Sequence, residues 1–157
     1  MGRPLDKFDL KILDALQNNS SISAQQLGEQ VGLSQPACWK RIDRLTQNGY
    51  IRKQVALLDG AKIGAGTTVF ATVKLSSQDS ASLEAFTRAI ERIPNIMECY
   101  VLMGDMDFML KIVVDQIQDY ENLFFNVLSK IEGVDEFKSK MALSRIKETT
   151  AYPISLN

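Results

Sequence analysis

The chain contains no histidine, and without an imidazole there is no Ser-His-Asp or Cys-His catalysis, no HExxH zinc site and no two-His iron triad. Two cysteines, Cys38 and Cys99, cannot furnish a four-ligand zinc knot; each sits in an apolar pattern and reads as a small buried hydrophobe. No disulfide between them is expected in a reducing compartment. No apolar run approaches the roughly 18 residues needed to span a bilayer. The charged stretch Met1–Leu10 lacks the apolar core of a signal peptide, so a cytoplasmic protein without a membrane partner is expected. Proline is scarce at 4 residues and glycine stands at 9, which rules out collagen-like and Pro/Gly-rich disordered chains.

What is present is the composition of an ordinary folded protein: 157 residues, 45% hydrophobic and 24% charged. A chain of this length buries roughly 70% of its unfolded surface, enough for one good core or two small ones. The net charge of −1 speaks against nucleic acid only until it is split by position. The first 60 residues carry 8 Lys and Arg against 6 Asp and Glu, whereas the remainder is net −3. Within Ser34–Lys53, Lys40, Arg41, Arg44, Arg52 and Lys53 face Asp43 alone, and local basicity is what meets phosphate.

Apolar periodicity places three short helices at the start. Leu5, Phe8, Ile12, Leu13 and Leu16 recur at helical spacing, with Asp6 or Asp9 available near the first turn. Ser23-x-x-Gln26 has the spacing of a capping box before the stripe Ala24, Leu27 and Val31. Gly32 can end that helix left-handed, and Ser34 then caps a third helix with Pro36 in its first turn. On the third helix Cys38, Ile42 and Leu45 share the inward face. Pro36, Lys40, Asp43 and Gln47 lie opposite, flanked by Trp39 and Arg44, with Gln35 near the N-terminus. Tyr50–Leu58 alternates as a short β pair or wing carrying Arg52 and Lys53. A helix that buries one stripe, follows a tight turn and exposes basic and amide groups is suited to a major groove. The bland alternative is a solvated amphipathic helix in a small bundle.

After Gly64-Ala65-Gly66 the period changes. Strands are predicted at Thr67–Leu75, Ile96–Met103, Met106–Val114 and about Val134–Leu143, the middle two joined by a turn at Gly104-Asp105. Helices fall between them: one capped by Asp79 or Ser80 with Leu83, Phe86 and Ile90, another opening at Asp115-x-x-Gln118 and running through Tyr120, Leu123, Phe124, Val127, Leu128 and Ile131. The order βαββαβ is that of a ferredoxin-like sheet with one face left open, which a second copy of the chain can cover. The aromatic signature of RNA-binding domains with this topology is missing. An enzyme using Asp105 and Asp107 would lack a nucleophile or metal. A nucleoid-type architectural binder is the other rival, distinguished by a specificity ratio near one.

In order and spacing, several stretches together resemble the Lrp/AsnC family of transcriptional regulators across essentially the whole chain. They are Leu5-Asp6-Lys7-Phe8-Asp9 with Ile12-Leu13 and Leu16-Gln17, Leu27 through Val31-Gly32-Leu33-Ser34, Pro36-Ala37-Cys38 with Arg41, Arg44-Leu45 and Gly49-Tyr50-Ile51, Ala56-Leu57-Leu58, and Gly104-Asp105-Met106-Asp107-Phe108. The ending Lys147-x-Thr149-Thr150-x-x-Pro153-Ile154 is similar to that of members that control amino-acid catabolism. The resemblance implies an α+β chain: a winged helix-turn-helix DNA-binding domain at 1–53, a linker strand or hinge at 54–66, and a ferredoxin-like effector-binding and oligomerisation domain at 67–157. Double-stranded DNA would meet Ser34, Gln35, Pro36, Trp39, Lys40, Arg41, Arg44, Arg52 and Lys53. An amino-acid effector, with no other cofactor, would sit against Met103, Gly104, Asp105 and Asp107 at a contact between dimers. A dimer assembling to an octamer and a cytoplasmic, nucleoid-associated location complete the expectation. Gly104-Asp105 also has the bland reading of a plain hairpin turn.

Overall fold

The computed structural model describes residues 4–155; the outermost residues of the expected domains, 1–3 and 156–157, lie outside the described part. The chain divides into two compact units: the described part of Met1–Ala56 together with that of Lys147–Asn157, and Leu57–Ile146. Among the described residues no helix is long and apolar enough to cross a membrane.

The first unit is built on α1 (Lys7–Asn18), α2 (Ala24–Val31) and α3 (Gln35–Gln47). Each starts where a side chain can satisfy free N–H groups, except the last. Asp6 accepts from the Phe8 and Asp9 amides while Asp9 returns a bond to the Asp6 N–H, a complete capping box. Ser23 and Gln26 form the second box as their spacing predicts. Ser34 occupies the N-cap position of α3 but its side chain makes no capping bond, contrary to the sequence expectation. Pro36 in the first turn removes one of the N–H groups a cap would serve. Ile12, Ala15, Leu27, Val31, Cys38 and Leu45 make the core, so the inward stripe Cys38, Ile42 and Leu45 is as read, with Ile42 half-buried beside it. The returning tail also belongs to this unit. Gln17 at the end of α1 accepts the Tyr152 N–H at 2.8 Å and donates to the Tyr152 carbonyl at 2.9 Å, an amide paired with the backbone as in a sheet.

The segment expected as a β wing forms no strand: residues 52–59 carry no regular structure, and a 3-10 turn, Gly60–Ile63, replaces the rest of the expected linker strand. A two-stranded ribbon without a third strand or a covering face is marginal at best, and among the described residues the segment has no partner strand. Val55, Leu57 and Leu58 are left exposed on it.

The second unit is the ferredoxin-like sheet: β1 (Thr67–Leu75), α4 (Ser80–Glu91), β2 (Ile96–Val101), β3 (Phe108–Val114), α5 (Ile117–Asn126) and β4 (Val134–Met141), with strand order β2-β3-β1-β4 and every neighbour antiparallel. Alternation decides the layers. Val69, Ala71, Val73 and Leu75 of β1 and Phe108, Leu110, Ile112 and Val114 of β3 point to the side where Phe86, Ile90, Tyr120 and Leu128 cover them. Phe70 and Tyr100 stay exposed on the sheet. Several boundaries differ from the sequence reading. Strands β2 and β3 stop short of the Met103–Met106 turn, and α5 ends at Asn126, where Leu128–Lys130 continues as a 3-10 turn. The start of α5 also shifts by one residue: Asp119, not Gln118, returns the bond to the Gln116 N–H. Cys38 is buried as expected, but Cys99 is exposed, because β2 is an edge strand that the helices leave partly uncovered.

Candidate nucleic-acid interface and effector turn

The turn between α2 and α3 is tight because two glycines make it so. Gly32 ends α2 in the left-handed region at φ +79°. Gly28 accepts from the Leu33 N–H at 2.8 Å, and a Cβ on Gly28 would stand 2.6 Å from the Leu33 carbonyl oxygen. Only a residue without a side chain lets the backbone after the turn come this near to α2. Gly28 was not singled out from the sequence; its place on the inner side of α2, one residue past Leu27, was the available signal.

That turn aims α3 so that Ser34, Gln35, Pro36, Trp39 and Lys40 are all exposed on its N-terminal half, Trp39 at 60%. The free N–H groups at the start of a 13-residue helix carry a partial positive charge that attracts phosphate. Ala37, Lys40, Arg41, Asp43, Arg44 and Gln47 line an open groove of about 430 Å³ along the helix, where Gln47 donates to Asp43 at 2.8 Å. Arg52 and Lys53 follow on the irregular segment, both exposed.

Arg41 and Arg44 differ from the other cations. Arg41 Nη1 lies 2.7 Å from Asp6 Oδ2 and 2.7 Å from Asp9 Oδ1, and Arg44 Nη2 lies 2.6 Å from Asp9 Oδ2. Asp9 is 1% exposed, so its charge is balanced from inside the protein by two guanidinium groups. The Arg41 hydrogen bond, helped by the Asp9 N–H, pulls the Asp6 pKa down to about 2, and the same two carboxylates raise that of Arg41. The Arg41 guanidinium also stands 5.4 Å from the centre of the Phe8 ring. These partners are 32 and 35 residues apart, beyond the reach of any spacing argument.

At the other candidate site Met103, Gly104 and Asp105 are exposed together on the turn between β2 and β3. Asp107 is not with them. It is 8% exposed, and its carboxylate accepts the Leu75 N–H at 2.7 Å and the Gln78 side-chain amide at 2.6 Å. Its backbone ties both neighbours: the N–H donates to Val73 and the carbonyl accepts from Leu102. Asp107 thus fixes the base of the turn from inside, while Asp105 is the carboxylate that faces outward. Gln78, which sequence reasoning passed over, holds Asp107 from the loop before α4. Gly104, at φ +150° with open space where a Cβ would go, is required by its backbone and not by a neighbour. Among the described residues no group of His, Cys, Asp and Glu is arranged to hold a metal.

Comparison with known proteins finds a family model for each of the two units. Residues 5–52 match the winged helix-turn-helix DNA-binding model, and residues 68–152 match the Lrp/AsnC ligand-binding domain. The glutamate uptake regulatory protein of Zymomonas mobilis is 36% identical over 154 residues, 98% of this chain and 93% of that protein. The crystal structure of an AsnC family transcriptional regulator from Agrobacterium tumefaciens superposes with a TM-score of 0.90 at 36% identity, covering 95% of this chain and 97% of that one. A transcriptional regulator from Neisseria meningitidis, solved as an L-Met complex, gives 0.91 at 29% identity over 96% and 97% of the two chains. These relatives are regulators of transcription and not enzymes, and the present chain, matched along nearly all of its length, belongs to the Lrp/AsnC family of transcriptional regulators.

Proposed function

We propose that this regulator reads specific operators with the outer face of α3 and responds to an amino acid bound at the Met103–Asp107 turn. The observation that carries the DNA reading is the division of α3 into a buried stripe and an exposed N-terminal half, at which Lys40 has no ion-pair partner among the described residues. Ser34, Gln35, Pro36, Trp39 and Lys40 then meet base edges, sugars and phosphates in the groove, and Arg52 and Lys53 meet the backbone beside it. Arg44, 34% exposed in its side chain, keeps enough access for a phosphate contact.

For the effector, Asp105 supplies an exposed carboxylate suited to an α-ammonium group, with Met103 and Gly104 beside it, and Asp107 keeps the turn in shape. The amino-acid class is supported by the ligand-binding-domain match and by the L-Met complex of the Neisseria meningitidis relative. The exposed apolar groups of the open sheet, Phe70 and Tyr100, together with Val55, Leu57 and Leu58, favour pairing with a second copy and further assembly towards an octamer. Two reading helices so paired fall about 34 Å apart or a multiple of it, which sets the half-site spacing, and the location is cytoplasmic on the nucleoid.

Thermal-shift screening of the full chain against the twenty amino acids, followed by light scattering and DNA binding with any stabilising one, tests the response. Stabilisation that Asp105→Ala removes, accompanied by changed assembly and DNA affinity, is the expected result. Stabilisation unaltered in Asp105→Ala would move the site elsewhere.

A further inference from the structure

Lys40 and Arg41 are adjacent in sequence, yet at about 100° per residue they leave α3 in different directions. Lys40 projects away from the buried Cys38 and Leu45, whereas Arg41 flanks that stripe and reaches the first turn of α1. Resting on the reading of α3 given above, we propose that Arg41 is a positioning residue for DNA recognition and not a contact to DNA. Its guanidinium bolts the middle of α3 to both carboxylates of the α1 capping box, and so fixes the rotation of α3 about its own axis. That rotation decides where Gln35, Trp39 and Lys40 point.

Three observations carry this. Arg41 is engaged twice, at 2.7 Å each, so a phosphate would have to displace two charge-assisted bonds already made. Moving it would strip Asp9, which is 1% exposed, of one of its two cations and would turn Asp6 and Asp9 towards a polyanion. The placement of the guanidinium over the Phe8 ring gives a third contact to α1. One nitrogen, Nη1, makes both carboxylate bonds while the guanidinium carbon lies over the Phe8 ring; a lysine ammonium, a point charge on a shorter stem, keeps the charge but not this planar contact.

The two roles predict opposite outcomes for variants that leave charge or cap intact. Asn in place of Asp6 still caps α1, because the Phe8 and Asp9 amides bond to Oδ1 while Arg41 bonds to Oδ2. The experiment measures affinity of the full chain for two probes across salt concentrations: a labelled duplex selected from a random-sequence pool by the wild type, and an unselected random duplex. Positioning predicts that Asp6→Asn and Arg41→Lys each weaken binding to the selected duplex by about tenfold. Both keep the wild-type salt slope and random-duplex affinity. It also predicts that Arg41→Ala combined with Asp6→Asn binds no more weakly than Arg41→Ala alone. An Asp6→Asn chain that binds the selected duplex as well as or better than the wild type overturns the proposal, as does an Arg41→Ala chain whose salt slope falls by about 1. Lys40→Ala is the separate check: if it changes neither affinity nor slope, the reading of the α3 face fails, whatever Arg41 does.

Discussion

The two units of this chain are stabilised by different means. The sheet unit has a continuous apolar core in which the inward faces of β1 and β3 are covered and Phe86 packs against Phe108 with ring centres 4.4 Å apart. The helical unit has a core of small and medium side chains, Ile12, Ala15, Leu27, Val31, Cys38 and Leu45, and adds to it a buried carboxylate between two arginines. A domain of three short helices buries a smaller apolar surface, and here the ion pairs of Asp6 and Asp9 with Arg41 and Arg44 tie α1 to α3 beside that packing. The lesson is that basic residues on a reading helix divide between holding the helix and meeting the DNA, and that proximity in sequence does not tell which.

The sharpest way to break the comparison is to damage each unit by its own means. Phe86→Ala should cost the sheet unit about 4 kcal/mol, the usual toll of deleting a buried aromatic ring, as followed by amide hydrogen exchange of β1 and β3. The fluorescence transition of Trp39, the one tryptophan, should stay where it is. Asp9→Ala should cost the helical unit about 3 kcal/mol, since it deletes the shared partner of Arg41 and Arg44, and here the Trp39 transition should move. Were Asp9→Ala nearly silent, the helical unit would prove to be held by packing like its neighbour. Gly28→Ala comes next, at about 2 kcal/mol, because a methyl group meets the Leu33 carbonyl and must push the turn open.

The smallest effect separates two lowered acids. Asp6 and Asp79, one in each unit, both sit at about 2 against an ordinary value of 3.8. A depressed folded pKa contributes stability that is complete above about pH 4 and is lost as pH falls towards 2. For Asp6 the chief cause is the Arg41 hydrogen bond; for Asp79, which caps α4, it is the Ser77 hydroxyl, then the bonds from Ser82. In acid titrations, added salt should therefore erase more of the Asp6 contribution than of the Asp79 contribution, with Asp6→Asn and Asp79→Asn as the reference curves. Equal salt sensitivity would remove the distinction between charge and neutral hydrogen bonding.

Local signals carried most of the fold. The Ser23-x-x-Gln26 box, Gly32, the alternation in Thr67–Leu75 and the period change after Gly66 act within a few residues, and each lies where it was read. What was not legible depends on residues brought together by folding. Asp9 with Arg41 and Arg44, Gln78 with Asp107, and Gln17 with Tyr152 span 29 to 135 positions. Alternation in Tyr50–Leu58 does not make a strand because a strand needs a neighbour, and the described residues supply none there. The same reason hides the hydrogen bonds of Asp107 from a local reading: the N–H that its carboxylate accepts belongs to the end of β1, 32 residues earlier.

The most direct test of the account is the salt dependence of DNA binding by a chain in which Lys40, Arg52 and Lys53 are all replaced by alanine, measured on the duplex that the wild type selects. If these cations meet phosphate, affinity falls and the slope of log affinity against log salt shrinks by roughly 3. A variant that keeps both the affinity and the slope of the wild type would contradict it, since the face of α3 and the segment after it would then play no part in holding DNA.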